Sequence, residues 1–325
     1  MARCVFGWCW LLAAIAGSLP GATTITGPVA GYVVEPSGPA LRAILGVPGS
    51  FRFSDALPLP PGVTRIHLAP GQAFALVEGA DTGLAILYLS GAAVTREAAA
   101  PGAMAAPESV VFSPAAGSVV LLSSSSSRLQ VLSGLPDTPR VAMDLDTTTL
   151  PEQPRTAAVS DDGRTVLVAS ARAVYLVRPD GAAQLLMTAR DIVSIALFPN
   201  GADAAVSDRG TGSVHLLRNV SSEPVERELA SGLRGLGRLY PSWDGGTLFV
   251  TRPGSKAVSW IDLASGEVQS CDSAAVPVIL DPLRNRDTFL ISARPHQPGW
   301  ILYRDGDMVR VVFVPGANEV TESVQ

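Results

Sequence analysis

The chain has 325 residues, 47% hydrophobic and only 16% charged, with a formal net charge of −5. That balance excludes a disordered chain, and the absence of any basic stripe argues against nucleic-acid binding. Gly (31 residues) and Pro (26) punctuate the sequence too often for long helices, since each proline removes a backbone donor.

The first residues read as a secretory leader. Arg3 supplies the positive start, Cys4–Leu19 is apolar, Pro20-Gly21 breaks the run, and Ala16-Gly17-Ser18 offers small residues for cleavage. The run is too short for a comfortable membrane span, and no other apolar run approaches spanning length. We therefore expect a signal peptide over residues 1–22, a single domain over 23–325, and a secreted or periplasmic protein without a membrane span. Retention of the leader as an anchor is the alternative. Cys4 and Cys9 leave with the leader, so Cys271 is the sole cysteine of the mature chain and no internal disulfide forms.

Strand signals then follow one another. Ala30–Glu35 and Ala40–Leu45 flank a turn at Pro36–Pro39. Next comes a series of landmarks where a short apolar run meets a turn, ending at Pro70, Pro114, Asp161, Pro199, Pro241 and Pro282. Their spacings of 44, 47, 38, 42 and 41 residues fall in the range of four-stranded propeller blades. After each landmark come apolar runs separated by polar turns, as in Thr165–Ala169, Val174–Val177 and the Asp180-Gly181 turn. Asp-Gly between apolar runs is a hairpin signal because glycine accepts the positive φ the turn needs. The runs are apolar on both faces (Val119–Leu122, Val166–Ala169), which suits sheets sandwiched between other sheets.

The unit is clearest at Pro241–Pro277, where Trp243-Asp244-Gly245-Gly246 opens the run Thr247–Thr251, Arg252–Lys256 turns into Ala257–Leu263, and Ala264–Gly266 leads to a last short run. Leu248–Thr251, Val258–Asp262 and Ser265-Gly266 resemble the YVTN-type bacterial β-propeller repeat, a WD40-like unit, with Arg252 standing for its Asn and Trp243 for its turn Pro. The match is specific over this unit and Ser160–Val168, and follows the pattern elsewhere. The resemblance implies an all-β fold, a seven-bladed β-propeller whose irregular N-terminal part makes the extra blade; six blades are the runner-up. Ring closure is expected from pairing of N-terminal strands with Met308–Val314.

The chemistry is sparse. His67, His215 and His296 show no metal-ligand spacing, and no serine-hydrolase elbow, phosphate loop or Cys-x-x-Cys motif occurs. The acidic pairs Asp144/Asp146, Asp161/Asp162 and Asp305/Asp307 sit at turns, where Asp is expected for its backbone hydrogen bonds. Ser242–Phe249 also resembles the Asp-box turn of sialidase-type propellers, which stabilises a turn and does no catalysis. Ser123–Ser127 reads as a hairpin tip. Arg65 and His67 share one face of the strand before the first landmark, so both are candidates to line the central channel and bind an anion. No catalytic, cofactor or metal residue is assigned. The expected function is a monomeric, non-catalytic binding or scaffold module for a protein or small-molecule ligand. The alternative is a propeller-type hydrolase or lactonase with its site at the channel.

Overall fold

A computed structural model describes residues 28–35, 38–47, 50–80, 83–272, 279–292, 299–306 and 308–314. The expected leader, with Cys4 and Cys9, and His296 and Asp307 lie outside these residues. The described chain forms seven antiparallel sheets arranged as the blades of a ring. Blade 1 has three strands, β1 (Val29–Val34), β2 (Leu41–Leu45) and β3 (Arg52–Ala56). Blade 2 is β4 (Val63–Leu68), β5 (Phe74–Gly79), β6 (Gly83–Ser90) and β7 (Ala93–Ala99). Blade 3 is β8 (Ser109–Phe112), β9 (Ser118–Ser123), β10 (Arg128–Ser133) and β11 (Arg140–Asp146). Blade 4 is β12 (Thr156–Val159), β13 (Val166–Ala169), β14 (Ala173–Val177) and β15 (Ala183–Thr188). Blade 5 is β16 (Ile192–Leu197), β17 (Ala204–Asp208), β18 (Ser213–Arg218) and β19 (Val225–Ala230). Blade 6 is β20 (Leu239–Pro241), β21 (Thr247–Arg252), β22 (Ala257–Asp262) and β23 (Val268–Asp272). Blade 7 is β24 (Asp281–Pro282), β25 (Thr288–Ser292), β26 (Gly299–Asp305) and β27 (Met308–Val314).

Within each four-stranded blade the first strand is innermost, and we call the rim where these inner strands begin the upper rim. The second strands are buried on both faces, as β9 and β13 show over their whole lengths, because a neighbouring blade covers each side. The outer strands β7 and β19 are mostly exposed. The core is accordingly divided into layers between blades. Leu167, Val174, Leu197 and Val206 fill one layer between blades 4 and 5. Leu216, Leu236, Leu248 and Ile261 fill the next.

The landmarks are the turns between first and second strands. Ser160 Oγ donates to Asp162 Oδ1 and accepts the Thr165 amide, while Asp162 also takes the Arg164 amide. Ser242, Asp244, Gly246 and Thr247 repeat the same three bonds in blade 6. The side chains thus satisfy turn amides that the sheet cannot, which is why Ser and Asp recur there.

Blade 1 closes the ring differently from the expected pairing. Met308–Val314 is the outer strand of blade 7 and pairs with β26. The expectation rested on the usual pairing of N- and C-terminal strands; here Val309 and Val311 pack against blade 6 instead. The burial patterns of β1, β2 and β3 match the second, third and fourth strands of the other blades, so among the described residues blade 1 has no inner strand. The free edge of β1 is taken by its neighbours. The Gln72 side-chain amide pairs with both the N–H and the C=O of Tyr32, and the Arg284 amide donates to Ala30 O. Apolar layers seal both sides, with Tyr32, Leu41 and Ala75 towards blade 2, and Val33, Ile44, Leu290 and Ile301 towards blade 7.

Candidate functional site

Arg65 and His67 lie on the same face of β4, two residues apart, as strand geometry requires. The register sets Arg65 opposite Glu78 on β5. Glu78, with a side chain only 5% exposed, draws both side chains to one carboxylate oxygen: His67 Nε2 is 2.7 Å and Arg65 Nη1 3.2 Å from Oε1. Arg65 also donates to Pro107 O, in the segment leading to blade 3. Burial pushes the His67 imidazole below its ordinary value, against the pull of Glu78. In the neutral tautomer that donates Nε2–H to Glu78, Nδ1 is left as an acceptor, so the trio has the form of a carboxylate-oriented imidazole beside a cation. Glu78 was not foreseen. Its signal is a lone acid in an otherwise apolar second strand, Phe74–Gly79.

A cavity runs along the ring axis. It encloses about 650 Å³ and is walled by the inner strands of blades 2 to 7. Its lining on β4 begins at Leu68, so Arg65 and His67 sit above it towards the upper rim. Four arginines contribute to its lining, Arg155 and Arg238 at the upper end and Arg284 and Arg286 at the lower, with Asp287 the one acidic residue of the lining. Asp191 anchors Arg155 at 3.0 Å. Asp281 lies beside Arg238; solvent reaches it, yet protein surrounds it, and this desolvation raises its carboxyl above the usual range while Arg238 opposes the shift. Tyr240 accepts the Leu280 amide at 3.0 Å, and burial raises its phenol to about 12. Phe289 meets the Tyr240 ring edge-on with centroids 5.8 Å apart.

The sequence did not single out these arginines, although Arg155 and Arg238 each immediately precede an inner strand. The other histidine within the described residues, His215, is on β18 with Nδ1 3.0 Å from Glu226 Oε1 but without an aligned hydrogen bond. Cys271 is a half-buried free thiol on β23, raised by burial. Among the described residues no three His, Cys, Asp or Glu side chains are grouped to hold a metal ion, and no helix is long and apolar enough to cross a membrane.

Seven radial sheets around a walled channel define the chain as a seven-bladed β-propeller. No family model matches it, and no curated protein sequence does. Solved structures do share the fold. One is a functionally unknown protein from Desulfotomaculum acetoxidans, with 15% identity, a TM-score of 0.59, and coverage of 89% of this chain and 100% of that one. Another is a protein from Lactobacillus plantarum, at 13% identity and TM-score 0.55, covering 88% and 96%. A putative 6-phosphogluconolactonase from Bacteroides uniformis aligns at 16% identity and TM-score 0.50, covering 76% and 82%. These likenesses concern the fold alone.

Proposed function

We propose that this propeller is a non-catalytic, monomeric binding module, exported after removal of residues 1–22, whose channel takes an anionic ligand. The observation that supports it is the channel lining, with four arginines against one acidic residue in a cavity of ligand-binding size. Titration calorimetry with citrate at low salt tests the binding. Saturable binding that weakens with added salt and falls at least tenfold in Arg238→Gln/Arg284→Gln supports the reading. No binding, or binding indifferent to that double change, overturns it. Export is tested separately by the N-terminal sequence of the protein recovered from its native cells; an intact Met1 would end that part. The likeness of Leu248–Asp262 to the YVTN-type repeat supports placing the repeat in that type.

A second reading, a propeller-type hydrolase or lactonase, draws on the Arg65–His67–Glu78 trio, in which a buried carboxylate orients an imidazole. Hydrolysis of a lactone by the mature chain, lost in His67→Gln, would support it. No turnover would remove it.

A further inference from the structure

Trp243 stands at the lower mouth of the channel with 40% of its surface exposed, the one aromatic among the exposed large apolar side chains of the described residues. Its position is fixed. Its backbone N–H donates to Asp287 Oδ1 at 2.8 Å, and Arg304 ties Asp244 (2.7 Å) to Asp287 (3.7 Å) beneath the turn. The Arg286 guanidinium lies over the indole, 4.4 Å from its centroid. Arg284 is held through its backbone amide by Ala30 O, while its guanidinium has no hydrogen-bond or ion-pair partner among the described residues. Deeper in, Tyr240 and Phe289 continue the aromatic wall. An exposed ring on a backbone held by Asp287, beside two guanidinium groups that make no salt bridge among the described residues and whose one carboxylate neighbour in the lining is Asp287, offers stacking and charge to one ligand at the same time.

We infer that the lower mouth recognises a flat aromatic acid, its ring stacked on Trp243 and its anionic group between Arg284 and Arg286. This rests on the proposed anion-binding channel and names the ligand class that the channel takes. It separates a ring-bearing acid from a simple anion, because Trp243 contributes only to the former.

The test uses mature protein labelled with ¹⁵N-tryptophan, titrated with 2-naphthoate, acetate and neutral 2-naphthylmethanol. The expected result is a saturable shift of the Trp243 indole N–H line, with 2-naphthoate binding at least tenfold tighter than either acetate or the alcohol. Trp243→Leu should bring 2-naphthoate down to the affinity of acetate, Trp243→Phe should retain part of the preference, and Arg286→Gln should weaken 2-naphthoate at least tenfold. If citrate binds at Arg238 and Arg284 as proposed but 2-naphthoate shows no advantage over acetate and leaves the Trp243 line unmoved, this inference falls alone. If none of these anions binds, both readings fall.

Discussion

Replacing Gln72 by Leu removes one of the two hydrogen-bonding partners that the described residues place on the free edge of β1. Gln72 is fully buried and holds a positive φ of 49° at the end of a short 3-10 turn. Its Oε1 accepts the Tyr32 N–H at 2.6 Å and its Nε2 donates to Tyr32 O at 3.0 Å, so the side chain occupies the place of a strand peptide. Gly31 makes room, since a Cβ there would lie 2.7 Å from Gln72 Oε1 and 2.7 Å from Leu283 Cδ2. A leucine leaves one buried donor and one buried acceptor without partners, each costing about 1–3 kcal/mol. The sum is about 2–6 kcal/mol, and for a domain of this size that corresponds to roughly 3–10 °C in melting temperature. Gln72→Asn tolerates the left-handed backbone but is one carbon too short to reach both groups, so it should fall between wild type and Leu. Circular-dichroism melting measures the total, and hydrogen exchange at the Tyr32 amide locates it. A Leu variant melting within about 1 °C of wild type, with Tyr32 exchange unchanged, would refute the account.

Two further outcomes follow from the turns. Gly163 has φ +74°, and a Cβ there would meet Ser118 Oγ and Ser133 Cβ of blade 3 at 3.1 Å, so Gly163→Val should cost more than about 1 kcal/mol in urea unfolding; an unchanged midpoint would contradict the hairpin geometry. Glu108 accepts the Ser124 and Ser125 amides at the tip of the β9–β10 hairpin, and these bonds, with those from the serine hydroxyls, hold its carboxyl down at about 2. Because the folded value lies below the model-peptide 4.5, its contribution is complete above about pH 4.5 and lost as pH falls through about 2. The stability gap between wild type and Glu108→Gln should therefore close over that interval; a gap that widens towards acid would be inconsistent with it.

Much of the fold was legible because the repeat expresses one physical requirement many times. A strand covered on both sides must be apolar throughout, and Val119–Leu122 and Val166–Ala169 are buried along their lengths. A turn that leaves amides unpaired favours Ser and Asp, and Ser160/Asp162 and Ser242/Asp244 supply them. Ring closure was not legible. Among the described residues it depends on a glutamine and a backbone amide from two different blades, and neither carries a pattern along the chain. The apolar run Met308–Val314 also gave no sign of being outermost. At the site, the period of two placed Arg65 and His67 together. Their partner Glu78 depended on a register shifted by the irregularity between Val63 and Arg65. The channel arginines come from blades far apart in sequence, and only three dimensions gather them.

The division of labour between strands has a consequence for how such a chain diversifies. Cohesion resides mainly in the second and third strands of each blade, whose side chains interlock between adjacent sheets, as Leu121, Leu132, Leu167 and Val174 do. Inner strands such as β8 are only partly buried, and β8 presents Ser109, Val110, Val111 and Phe112 to the cavity. Substitutions on this wall leave the framework's adhesion largely intact, so molecular preference can drift without loss of foldability. Relatives sharing the wheel would then be expected to differ most at the hub.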